Sequence, residues 1–326
     1  MELRIAILGG VFPGLLVAIA MVVGAVVGRW FDRRGARGVE GPAPSGALPG
    51  GPVGSDRASR RTPAPLSPRV GVAWLLGAIP AAFLVHFTSW SWPEVWPTDA
   101  TKRLLHAMLV LIAWGFAEVA VPRATPRSLR TVGRAAQAAA IVGILAHAYL
   151  GVLGWGRVIG LSAGAGALTA LVVPAMASGS RRRHPSLPHA SLFIACLGAM
   201  AVLLIGRTAT GAQAAAGIAA LSAATGVASL LARRATPLVV GPVVLVGSLC
   251  WVLAMGACAS EHVNWAAIAI LPLAPIAWGV PLDRLPIVRS RAWLRPLPAV
   301  VWTILVVGSA VLIAWLDRPA TFDDYP

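Results

Sequence analysis

The chain has 326 residues, of which 57% are hydrophobic and 12% are charged, and its formal net charge is +15. Soluble globular proteins carry about 25% charged residues, so this composition excludes an ordinary soluble domain and indicates a polytopic membrane protein. The positive charge does not indicate nucleic-acid binding, because the basic residues lie in short segments between apolar runs and not on one soluble face.

The use of basic residues and cysteines narrows the class further. The chain has 26 arginines and a single lysine, Lys102. This usage is typical of a GC-rich bacterial genome and predicts a bacterial cytoplasmic membrane as the location. Cys196, Cys250 and Cys258 are odd in number and form no CxxC motif. We therefore expect neither a disulfide framework nor a zinc site.

Ten apolar runs follow one another along the chain. Most are long enough to cross about 30 Å of hydrocarbon as helices that rise 1.5 Å per residue. Backbone groups in lipid must pair internally, and the alternating polarity of a transmembrane barrel is absent. The sequence therefore predicts an all-α polytopic bundle of about ten transmembrane helices, at 5–28, 70–87, 104–121, 135–153, 158–177, 191–206, 213–231, 237–257, 265–281 and 298–316.

The runs divide the chain into four parts. Residues 1–28 are predicted to be an N-terminal transmembrane anchor, because they lack the basic start and the cleavage motif of a signal peptide. Residues 29–69 are rich in Gly, Pro and Arg and predict a disordered cytoplasmic linker, with a partner-docking segment as the alternative. A nine-helix transmembrane body at 70–316 and a short acidic outer tail at 317–326 complete the chain.

The basic residues also predict the orientation. The stretches 29–69, 122–134, 178–190, 232–236 and 282–297 hold 21 of the 27 basic residues. Loops rich in Lys and Arg stay in the cytoplasm, so the prediction is a multi-pass chain with both termini outside. By this division no basic residue lies within a span, and Glu118 is the only acidic residue that does.

Glu118 is the strongest candidate for a functional residue. A carboxylate in lipid is costly, so it must face the interior of the bundle or be protonated. We consider two interpretations: a structural pair with a polar neighbour, or a site that couples to a proton or a substrate. His147 and Gln137 are the other candidates for a coupling or substrate site within the spans.

Aromatic and polar residues gather on the predicted outer face. Tryptophan prefers the membrane–water interface, so the tryptophans between spans two and three predict an aromatic belt, with a lid over a binding site as the alternative. The same face predicts either an outer pocket able to do acid–base chemistry or an ordinary hydrated loop. The pocket candidates are Trp90, Trp92, Trp96, Glu94, His106, Arg157, Arg207, Glu261 and His262.

No catalytic or metal-binding motif occurs in the sequence, so no catalytic residue, metal or cofactor is predicted. The alternative is a haem b between His106 and His147, whose depths permit two facing axial ligands.

Small residues repeat every four positions in three places: Gly156, Gly160 and Gly164; Gly24 and Gly28; and Ser222 and Gly226. Such ridges allow helices to approach closely, either within one bundle or in a homo-oligomer.

Three functions remain open. The first is a small-solute carrier or permease with Glu118 as its coupling residue. The second is a non-catalytic membrane subunit or scaffold that associates with itself or with other membrane subunits. The third, an embedded enzyme or haem protein, is the least favoured. The expected partners are the lipid bilayer and membrane proteins, and not nucleic acid.

Overall fold

A computed structural model describes residues 68–89, 95, 97, 99–120, 125–182, 186–231, 240–280 and 296–318, together with Ile19. Every regular element in these ranges is helical, and none of the described residues lies in a strand. The first predicted span at 5–28, apart from Ile19, and the predicted linker up to residue 67 lie outside the described residues.

The described elements follow one another as a series of helices. Each of the nine spans predicted within residues 70–316 overlaps a helical segment. The elements are α1 (Pro68–Ser89), a short 3-10 turn (Ala100–Arg103), α2 (Leu104–Ala120), α3 (Arg127–His147), α4 (Leu150–Arg182), α5 (Leu187–Ile205), α6 (Ala209–Leu231), α7 (Val240–Ala259), α8 (Trp265–Ile270) with a 3-10 helix (Leu271–Trp278), and α9 (Leu297–Leu316).

Six of the described helices, α3, α4, α5, α6, α7 and α9, are long and apolar enough to cross a membrane. Three apolar segments are shorter: Gly71–Phe87, Leu104–Ala120 and Trp265–Trp278. The described part of the chain is thus that of a helical membrane protein.

The predicted boundaries differ most from the structure at the starts of the third and fourth helices of the body. Helix α3 begins at Arg127 and not at 135, directly after Pro126. Proline is tolerated at a helix start, so α3 can begin directly after Pro126. The first half of α3 is polar, and hydropathy alone therefore does not assign it to the span. Helix α4 begins at Leu150, but Gly154 has a φ of +72° and interrupts it. Glycine adopts this left-handed conformation at no steric cost.

Helix α7 is the centre of the bundle. Residues 241–257 are all buried, and α7 packs against α2, α3, α4 and α6. Glycines admit side chains from two neighbours: Leu111 of α2 lies over Gly247, where an added Cβ would be 2.8 Å from Leu111 Cδ2. Leu203 of α5 lies even closer over Gly256. The central helix is therefore held by close packing.

Helix α9 shows how a peripheral helix attaches to the bundle. One stripe of it is buried, at Ala299, Thr303, Val306, Ala310 and Ala314, whereas its other faces carry exposed apolar side chains. Ser191 Oγ of α5 accepts a hydrogen bond from Trp278 Nε1 at 2.6 Å and lies 2.6 Å from Thr303 Oγ1. A buried polar cluster thus joins three segments where apolar packing alone has little directional preference.

Helix α5 ends in an unusual cap. The Thr208 N–H donates to Leu203 O at 2.8 Å and the Arg207 N–H donates to Leu204 O at 3.0 Å, which is the Schellman arrangement. The left-handed position of this motif is usually glycine, but here it is Arg207, with a φ of +58°. The preceding Gly206 cannot take a side chain, because Val263 lies against it.

We expect Arg207→Gly to stabilise the protein relative to Arg207→Ala. A non-glycine residue in the left-handed region costs about 1 kcal/mol, part of which is offset by the greater freedom of glycine in the unfolded chain. Both variants lose the arginine side chain, so their difference isolates the backbone effect. The measurement is the thermal midpoint in detergent, and equal midpoints would contradict the assignment of backbone strain to this position.

Candidate functional site

Glu118 and Arg134 form a buried ion pair where α2 ends and α3 begins. Arg134 Nε donates to Glu118 Oε1 at 2.9 Å and to Oε2 at 3.1 Å, and Arg134 Nη2 also donates to Oε1. Both residues are more than nine-tenths buried. The carboxylate is therefore held by two guanidinium nitrogens inside the bundle.

Pairing with Arg134 lowers the free-energy cost of burying the Glu118 carboxylate in an apolar bundle. An isolated buried ion loses several kcal/mol of hydration free energy, and an opposite charge with good hydrogen-bond geometry recovers much of this loss. Arginine suits this role because its planar guanidinium matches a carboxylate and stays protonated. The pair as a whole has no net charge, and this permits it to lie where a single charge would not.

The prediction that no basic residue lies within a span is wrong, because α3 includes Arg127, Arg130 and Arg134 and α4 includes Arg157. Because α3 begins at Arg127, Arg134 lies two turns inside the helix and not in a loop. Ile141, Ala138 and Arg134 lie on one face of α3, at helical spacing. Extending the 3.6-residue period of apolar residues toward the start of the helix would therefore have predicted a buried Arg134. Of the two interpretations of Glu118, the structural pair is present, and its partner is a cation.

Gln137 lies one turn further along α3 on the same buried side. It is 7% exposed, and neither its amide oxygen nor its amide nitrogen has a hydrogen-bond partner among the described residues. A buried amide without partners costs about 1–3 kcal/mol. The amide supplies two donors and one acceptor within one turn of the ion pair. These three side chains are the candidate functional site.

His147 does not belong to this site. It lies at the end of α3, ten residues beyond Gln137, which corresponds to about 15 Å along the helix axis. Its ring is exposed and lies edge-on to Trp155, with centroids 6.4 Å apart. A shallow cavity of about 650 Å³ next to it is lined by Arg103, Ile144 and His147.

His106 and Arg103 connect the start of α2 to the preceding segment. His106 Nε2 lies 2.9 Å from Val95 O, and Arg103 Nε donates to Pro97 O at 3.1 Å. Nearby, in the turn between α3 and α4, burial raises the pKa of the Tyr149 hydroxyl, and the charge of Asp99 raises it further. His106 thus contacts Val95 and His147 contacts Trp155, and the haem alternative predicted neither contact. Among the residues described, no three His, Cys, Asp or Glu side chains form a metal-binding group.

The other outer-face candidates lie on separate elements. Arg157 is on α4, Arg207 ends α5, and the exposed Glu261 and His262 lie in the turn between α7 and α8. The end of α5 lies against this turn, where Ser260 Oγ donates to Gly206 O at 2.8 Å, and the outer pocket stays a prediction. The remaining candidates, Trp90, Trp92, Trp96 and Glu94, lie outside the described residues.

The small-residue ridges have different environments. Ser222 and Gly226 pack against α5: Ser222 Oγ donates to His189 O at 3.0 Å, and an added Cβ at Gly226 would lie 3.2 Å from His189 Cβ. Added Cβ atoms at Gly156, Gly160 and Gly164 would meet nothing within 4 Å among the described residues. That ridge does not serve close packing within the described bundle. Gly24 and Gly28 lie outside the described residues.

Sequence reasoning missed two buried polar features besides Arg134. His189 of α5 is fully buried, and neither ring nitrogen has a hydrogen-bond partner in the described part of the chain. The Ser191, Thr303 and Trp278 cluster joins residues that are 112 and 87 positions apart, and no local pattern indicates it.

No protein-family profile matches the chain, and no curated protein or solved structure matches it.

We expect Glu118→Gln and Arg134→Gln each to lower the free energy of unfolding by about 3–5 kcal/mol, because each leaves an unpaired charge inside the bundle. The double variant Glu118→Gln, Arg134→Gln is expected to lose less than the sum of the two, since no charge is then left unpaired. Thermal midpoints of the four proteins in the same detergent measure this cycle. Additive losses would show that the two side chains do not depend on each other.

Proposed function

We propose that the protein is a small-solute carrier whose polar site is the Glu118–Arg134 pair together with Gln137. The observation that supports this most is the unpartnered Gln137 amide one turn from a buried ion pair. Ionisable residues in membrane interiors commonly mark solute or ion pathways. A pair that served packing alone would not call for an unsatisfied amide one turn away.

The chemistry of these three side chains suits a small polar or anionic solute. Arg134 has five N–H donors and can exchange the Glu118 carboxylate for an acidic group of a solute. Gln137 would then supply further donors and an acceptor to the same molecule. The guanidinium stays paired throughout the exchange, and the released Glu118 carboxylate takes up a proton, so neither group is left as an isolated buried charge.

Two irregular segments support the helix movement that a carrier needs. Gly154 interrupts α4, and the segment after α8 changes to a 3-10 helix through Pro272 and Pro275. Interrupted helices are a recurring element of transporters, where neighbouring helices pair the freed backbone groups.

We expect a cysteine at Gln137 to react with a membrane-impermeant thiol reagent if the site opens to water. The variant is Gln137→Cys in a chain whose three native cysteines are replaced, reconstituted in vesicles and treated from each side. Gln137 is buried in the present conformation, so labelling is expected to be slow and to require opening of the bundle. The measurement is the labelled fraction over time by mass spectrometry.

The matched control is Ala199→Cys, at a fully buried position of α5. Labelling at 137 without labelling at 199 separates opening of the site from general unfolding. A folded protein that stays unlabelled at 137 from both sides would overturn the carrier and favour the non-catalytic membrane subunit.

The proposed carrier lies in a bacterial cytoplasmic membrane, with ten spans and both termini outside. The distribution of basic residues supports this: 21 of the 27 lie in the five stretches assigned to the cytoplasm, and Arg127, Arg130 and Arg134 among them lie in the first eight residues of α3. In this orientation the ion pair lies toward the cytoplasmic side.

This orientation predicts opposite labelling of two exposed arginines. In a cysteine-free chain, Arg207→Cys is expected to react with an impermeant thiol reagent added outside intact cells, because α5 ends on that side. Arg127→Cys is expected to react only after the cells are opened, and the reverse pattern would overturn the orientation.

A further inference from the structure

A groove separate from the ion pair opens on the surface of the bundle between α4, α7 and α8. Its volume is about 330 Å³, and its wall along α4 contains Gly160, Leu161, Gly164, Ala165 and Leu168. The opposite wall includes Leu253, Ala254, Ile268 and Pro272. Gly160 and Gly164 have no side chains, and this leaves the groove open where larger residues would fill it.

One end of this groove is cationic. Arg157 lies one turn before Gly160 on α4 and lines the groove, and it is the only charged residue among the described residues that do so. Arg157 is exposed and makes no hydrogen bond or ion pair with the described part of the chain. Trp265, which begins α8, lines the groove as well.

Arg157 and Trp265 lie toward the same end of the groove. At the opposite end of the two segments, Gly179 of α4 lies against Trp278, where an added Cβ would be 2.6 Å from Trp278 Cβ. Arg157 of α4 and Trp265 of α8 both line the groove, at the end of the two segments away from this contact. Tryptophan and arginine both prefer the membrane–water interface, so this end has the character of the headgroup region and the remainder that of the hydrocarbon.

We propose that the groove binds an anionic phospholipid, with one acyl chain along the Gly160–Gly164 wall and the phosphate at Arg157. An unpaired cation at one end and an apolar channel along the rest complement a molecule with one negative end and a flexible apolar chain.

The proposal is tested on the full chain by native mass spectrometry. Purified protein in mild detergent is mixed with phosphatidylglycerol or phosphatidylcholine of identical acyl chains. We expect one retained lipid per chain and a preference of about fivefold for phosphatidylglycerol, the factor that one cationic side chain near an anionic headgroup contributes. Arg157→Gln is expected to abolish the preference and Arg157→Lys to keep it, whereas Arg207→Gln, which removes another exposed arginine, leaves it unchanged.

The apolar part of the site is tested by filling it. Gly164→Leu is expected to reduce retention of both lipids, because Gly164 lines the groove. Gly308→Leu on α9 is the control: this glycine also faces open space, but it does not line the groove, so no effect on retention is expected. Thermal midpoints confirm that these variants fold. Equal retention of the two lipids by the natural chain, or a preference that survives Arg157→Gln, would overturn the proposal. A dimer that dissociates in Gly164→Leu would also overturn it and assign the groove to a second copy of the chain. None of these outcomes depends on the carrier proposal.

Discussion

Close contact between helices is the interaction on which this structure depends. Lipid tails are as apolar as leucine, so burial of apolar surface gives little preference for one helix over another. What remains is van der Waals fit, and α7 shows it at Gly247 and Gly256, each covered by a leucine from a different helix. A small residue at the right height on the central helix therefore determines which neighbour packs there and in which register.

The ion pair is the main departure from this apolar packing. Dispersion forces change gradually with distance, but the hydrogen bonds between Glu118 and Arg134 have one favourable arrangement. They fix the relative height and rotation of α2 and α3 more sharply than methyl groups do. The pair therefore sets the register of these two helices at the height where Glu118 and Arg134 meet.

Much of the fold could be predicted from the sequence, and much of the site could not. Runs of apolar residues located nine helical segments because membrane helices must be apolar along their length. Hydropathy failed at the start of α3, where Arg134 is buried by pairing and not exposed. Glu118 was identifiable by itself as a costly group, but its partner lies 16 residues away on another helix. The ridge at Gly156, Gly160 and Gly164 was visible too, but a pattern along one helix does not tell which face meets the bundle.

The 3-10 helix after α8 changes how far a short segment can reach. Trp265–Trp278 has 14 residues, which as a regular α-helix would extend about 21 Å. The eight residues Leu271–Trp278 rise about 2.0 Å each in the 3-10 form, so the whole segment extends about 25 Å. The 3-10 stretch that contains Pro272 and Pro275 thus lengthens the segment by about 4 Å without additional residues.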